Sequence, residues 1–240
     1  MIKKTLGKYL ILNNNIFKEL ICNLSIFQIG DDNLKSINKS TLIFPKISTE
    51  FEIEPFPIEA LIAIKRKYPD FILEVYHGKL VSEWQNLLDE IFNYLLDLHF
   101  QGQRQFVEFG KTNISLSFID KRKAIDQITE NLKVDFTFLS YEKKIKIIKD
   151  SFNCLDPDEL SLQNIFKNVL IRNSIQHINR IIDDYLLRKC GTIGIIMLDI
   201  NGNKKTLKEG DDISIYLPQI YDFKKSLTSI INKWINDAKI

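Results

Sequence analysis

The stretch IRNSIQHINR, residues 171–180, holds an arginine, an asparagine and one of the chain's three histidines. On a helix, Asn173 and His177 are four apart and lie one above the other on one face. The amide oxygen of Asn173 can then accept a hydrogen bond from one ring nitrogen of His177 and fix its tautomer. The other nitrogen is left for proton transfer. Arg172 and His177 are five apart, roughly 140° apart around a helix axis. An arginine is long enough to swing toward the imidazole, and a fixed cation there can stabilise the developing charge of a phosphorane. A general acid/base, an orienting amide and a cation are parts suited to metal-independent RNA cleavage.

These residues need a helix to carry them. In DPDELSLQNIFKNVLIRNSIQH, Asp156 can cap, Pro157 suits the first helical position and Glu159 can reach back to the cap. Leu162, Ile165, Phe166, Val169 and Leu170 give the buried face. The pattern is long enough to break near Asn179 and restart before a terminating Gly191.

Upstream, SEWQNLLDEIFNYLLDLHF has helical period, with Ser82 and Gln85 as a capping box. KRKAIDQITENL is a weaker helical stretch, and Ser140 opens another in SYEKKIKIIKDSF. After Gly191, two β-rich runs with turns at Asn201-Gly202 and Gly210-Asp211 predict a small antiparallel hairpin or meander. Pro218 opens a last helix carrying Ile220, Phe223, Leu227, Ile230, Ile231 and Trp234. Before residue 75 the pattern is mixed. STLIFP and FEIEPFPI read as short extended pieces, PIEALIAIKRKY as a short helix, and FILEVYHG as a strand ending at Gly78. The expectation is a mainly α protein: an N-terminal extension of mixed structure over residues 1–78, then a helical domain over 79–240 with a small C-terminal β-hairpin and a closing helix.

The run Arg172-Asn173-Ser174-Ile175-Gln176-His177 resembles the R-x4–6-H motif of HEPN-domain ribonucleases, in the form where Asn follows Arg. The order of elements around it is similar, and the resemblance covers roughly residues 80–240. It implies a HEPN-like helical bundle that dimerises and brings two motifs into one cleft. It also implies metal-independent attack of the ribose 2′-OH on the adjacent phosphate, leaving a 2′,3′-cyclic phosphate. By position, His177 is the acid/base, Arg172 the phosphate contact and Asn173 the orienting group. A role as a toxin or antiviral-defence effector, with an antitoxin or defence-system partner, follows from the same resemblance. Two departures stand out: INRII follows the His where relatives turn tightly, and Asn179 replaces the Tyr of the R-x4-H-x-Y form. The subgroup whose antitoxin modifies that Tyr is therefore not implied. The alternative expectation is a HEPN-like module that binds RNA or protein without cutting, or an adaptor in a defence complex.

Composition bounds the rest. With 240 residues, 45% hydrophobic and 27% charged, the chain has ample material for a core. A formal net charge of +2 does not announce a nucleic-acid binder. Candidate RNA contacts are Arg180, in the segment after His177, and the basic run Lys121, Arg122, Lys123. Three widely spaced cysteines offer no zinc spacing and read as buried free thiols in a reducing compartment. No metal or other cofactor is expected. His77 and His99 read as structural. No signal-peptide core and no membrane-spanning run is seen, so a cytoplasmic protein is expected.

Overall fold

The computed structural model describes residues 2–44, 54–67, 70–103, 123–149, 152 and 156–237. Among them the chain is mainly helical, as the apolar periodicity predicts. Its helices are α1 (Ile2–Leu34), α2 (Ile58–Lys67), α3 (Phe71–Phe100), α4 (Ala124–Thr137), α5 (Tyr141–Lys149), α6 (Asp156–His177), α7 (Asp184–Cys190) and α8 (Leu217–Asp237). Two short antiparallel pairs complete it: β1 (Leu42–Ile43) with β2 (Phe56–Pro57), and β3 (Ile195–Leu198) with β4 (Lys204–Leu207).

Four long helices, α1, α3, α6 and α8, enclose one core. In α1 the buried positions Ile2, Leu6, Tyr9, Asn13, Ile16 and Leu20 alternate steps of four and three, which is one helical face. That face packs on α3 and α8. At the centre, Trp84 of α3 stacks on Trp234 of α8 with ring centroids 5.5 Å apart, and Tyr9 meets Trp84 edge-on. The Trp84 indole N–H donates to the Tyr141 hydroxyl at 3.1 Å, tying α5 to the same layer.

Four expectations change here. The FILEVYHG segment is helix, not strand. Glu74, His77, Leu80, Val81 and Trp84 continue a single face of α3, and burial along that face overrides the weak helix propensity of Val75 and Gly78. Ser82 therefore lies inside α3 and caps nothing, and the domain boundary expected at 78/79 falls within a continuous helix. The N-terminal segment is not a separate extension either, since α1 supplies part of the one core.

The C-terminal half follows the expected order. α6 ends at His177, the chain restarts at α7, and Gly191 closes α7 with a left-handed φ of 63°. Asp183 caps α7, its side chain accepting from the Leu186 N–H at 2.8 Å. The β3–β4 hairpin turns through Asp199, whose Oδ1 accepts from the Asn201 and Asn203 amides. The cap expected at Asp156 lies outside the described side chains, and Glu159 instead takes an ammonium hydrogen bond from Lys149 at 2.6 Å. Cys22 is exposed and Cys190 half-buried, so neither is the fully buried thiol expected; Cys154 lies outside the described residues. Among the described residues no helix is long and apolar enough to cross a membrane.

Candidate active site at the end of α6

α6 carries a polar seam as well as an apolar face. Asn164, Asn168 and Arg172 are spaced four apart and so share a side of the helix. Asn164 Nδ2 donates to Asp222 Oδ2 at 2.9 Å and to Ser226 Oγ at 2.8 Å, both on α8. Asn168 is fully buried. Its Nδ2 donates to the Asn164 carbonyl at 2.8 Å, which fixes the amide with Oδ1 as acceptor. That oxygen receives Gln219 Nε2 from α8 at 3.0 Å, while Gln219 Oε1 accepts the Leu198 N–H of β3 at 3.0 Å. His77 Nε2 lies 3.1 Å from the same Oδ1. An oxygen can only accept, so His77 is the Nε2–H tautomer.

Burial pushes the His77 imidazole down to about 4, against the hydrogen bond to Asn168, and the Arg172 guanidinium lowers it further. His77 is thus neutral at pH 7, as a structural histidine. Arg172, one turn beyond Asn168, is half-buried; burial lowers its own pKa, and its Nε has no acceptor. Its Nη1 donates to Asn173 Oδ1 at 3.1 Å.

The expected bond between Asn173 and His177 is therefore replaced. The Asn173 amide oxygen is taken by Arg172. His177, the last residue of α6, is exposed and makes no side-chain hydrogen bond among the described residues. Arg172 faces the helix interface while His177 faces solvent, in keeping with their angular separation on the helix. Within one chain the two are not brought together; Arg172 and Asn173 are.

The segment after His177 is tightly held. Asn179 and Arg180 take φ values of 52° and 66°, left-handed conformations that cost a non-glycine residue roughly 1–2 kcal/mol. Asn tolerates this better than Arg. Ser174 Oγ donates to the Ile181 carbonyl at 2.7 Å, and the Ile213 N–H donates to the Arg180 carbonyl at 2.7 Å. Ile181 forms an antiparallel bridge with Asp212. Arg180 Nη2 donates to Glu74 Oε2 of α3 at 2.7 Å. Burial raises the Glu74 carboxyl despite Arg180, and its Oε1 is buried with no donor. Burial likewise raises Asp70, offset by a hydrogen bond with Ser214 and by Arg180.

Arg180, named as an RNA contact, is thus engaged with Glu74 on one side, with its side chain one-third exposed. Lys123 is exposed at the start of α4. α4 packs antiparallel on the far half of α3, since Lys133 bonds to Asp97 and Phe136 stacks on Phe92. Asp97 is about 35 Å along α3 from Glu74, counted at 1.5 Å per residue. Lys123 and His177 therefore sit toward opposite ends of the bundle. Lys121 and Arg122 lie outside the described residues. Sequence reasoning missed Glu74, Asn168 and Gln219 altogether; the i, i+4, i+8 spacing of Asn164, Asn168 and Arg172 was the available signal for the seam.

Comparison with family models, curated proteins and solved structures gives no match. The chemistry must be argued from the residues. An exposed imidazole at a helix end can exchange protons with a bound substrate. A guanidinium five residues before it, on the same helix, can meet a phosphate. Among the described residues no group of three or more His, Cys, Asp or Glu is placed to hold a metal.

Proposed function

We propose that this chain is a HEPN-type endoribonuclease. It cleaves RNA by 2′-OH attack on the neighbouring phosphate and leaves a 2′,3′-cyclic phosphate. The observation that carries the reading is His177: an exposed imidazole ending a bundle helix, preceded by the joined pair Arg172-Asn173. His177 takes or gives the proton, Arg172 meets the phosphate, and Asn173 holds the Arg172 guanidinium. Cleavage needs a base for the 2′-OH and an acid for the leaving 5′-oxygen. One chain offers one exposed histidine in this motif, so a homodimer with two motifs across a two-fold axis is part of the proposal. A toxin or antiviral-defence role rests on the resemblance of the motif. Loss of RNA cleavage in His177→Ala, with the fold retained, is the test.

One observation favours a second reading, a HEPN-like module that binds RNA or protein without cutting. Arg172 is turned toward the α3 interface beside His77, and its Nε is buried. On that reading Arg172 serves the bundle, and Arg172→Ala changes stability while leaving RNA binding as it was.

A further inference from the structure

We infer that Glu74 is a positioning residue for this site: its ion pair with Arg180 holds the left-handed turn that fixes where His177 leaves α6. The inference rests on the ribonuclease reading for its activity arm and on geometry alone for its spectroscopic arm.

His177 makes no side-chain bond of its own among the described residues, so its place is set by the backbone on either side. On one side α3 grips α6 through His77 and Asn168. On the other it grips the turn through Glu74 and Arg180. Glu74 and His77 are three apart on α3 and share a face. Two side chains one turn apart on α3 thus bracket the motif through their partners, Asn168 nine residues before His177 and Arg180 three after it.

The chemistry of the pair supports specification over adhesion. The Glu74 side chain is only 11% exposed, and one of its oxygens has no partner. A desolvated carboxylate with a free lone pair is a poor source of stability, and an apolar side chain would pack there at less cost. What the pair supplies is direction. The guanidinium of Arg180 meets Glu74 with the Arg180 backbone left-handed, its carbonyl on the Ile213 N–H and its amide turned back toward the Ser174 carbonyl.

The chain's three histidines make the test clean. Glu74→Gln and Arg180→Lys are each examined by histidine side-chain NMR and by steady-state RNA cleavage. The expected result is a change in the chemical shifts and line width of the His177 imidazole signals, with those of His99, on the far half of α3, unmoved. In the cleavage assay kcat falls by roughly tenfold or more with little change in KM, as misplacement of a reacting group produces. Unchanged His177 signals and kcat in both variants would overturn the inference. So would shifts in all three histidines with activity tracking the folded fraction, the mark of a merely structural pair. If Glu74→Gln does not fold, Arg180→Lys, which alters the more exposed partner, decides. If the wild type cuts no RNA, the ribonuclease reading fails, and the NMR comparison alone decides the role of Glu74.

Discussion

His77 Nε2 donates to Asn168 Oδ1 across 3.1 Å, joining α3 to α6 in the middle of a buried polar seam. The folded imidazole titrates at about 4 and the unfolded one near 6.5. Between these values the unfolded chain binds a proton that the folded chain does not. The stability this group contributes is therefore fully present above about pH 6.5 and is lost as pH falls toward 4. The whole effect is worth roughly 3 kcal/mol. Urea unfolding of wild type and His77→Gln at pH 7, 6, 5 and 4.5 should show the wild type's advantage shrinking as acid is added. An advantage independent of pH would contradict the placement of His77.

Asn168 is the acceptor shared by His77 and Gln219. Asn168→Leu leaves two buried N–H donors without a partner and loosens the tie from Gln219 to β3. The expected loss is about 2–4 kcal/mol. It should be read as a lower urea midpoint at unchanged slope; a loss under about 1 kcal/mol would mean that the seam does not hold the helices.

Two glycines should respond in opposite directions. Gly191 ends α7 at φ 63°, so Gly191→Ala forces a side chain into the left-handed region at a cost of about 1 kcal/mol. Gly78 lies inside α3 with open space where a Cβ would stand, so Gly78→Ala should stabilise by roughly 0.5–1 kcal/mol. Thermal unfolding of both variants checks the two signs. Stabilisation by Gly191→Ala, or destabilisation by Gly78→Ala, would count against the helix boundaries described here.

The long apolar patterns were legible in the sequence because burial repeats at helical period. That is why the second half of α3, α6, the break after His177, the β3–β4 hairpin and α8 all lie where the residues indicate. The start of α3 was not legible, because FILEVYHG holds Val75 and Gly78, which favour strand or turn locally. Read as a strand, it puts Glu74 and His77 on opposite faces; as a helix it puts them on one. The pairings Glu74–Arg180 and His77–Asn168 were hidden by that single difference. α1 was obscured by Asn13, a polar residue at a core position within an Asn-rich run. The motif's residue types were visible, but not the orientation of Arg172. Spacing gives an angle about the axis, while the partner at each angle depends on which helix packs there.

The two readings of Arg172 separate by experiment. On the ribonuclease account Arg172→Ala lowers kcat by roughly a hundredfold or more, the scale of losing one charge-stabilising donor. Because its Nε is buried without an acceptor, the same change should shift stability by no more than about 1 kcal/mol. Paired cleavage and urea measurements give both numbers. A large stability loss with RNA binding per folded molecule unchanged, and no cleavage by the wild type, would favour the binding module.

The measurement that bears most directly on the central claim is RNA cleavage by purified wild type and His177→Ala in EDTA, with the 3′ ends of the products analysed. The account predicts cyclic-phosphate ends from the wild type and none from His177→Ala, with the helical fold intact in both. Equal cleavage by the two proteins, or none by a folded, dimeric wild type on several RNAs, would contradict it.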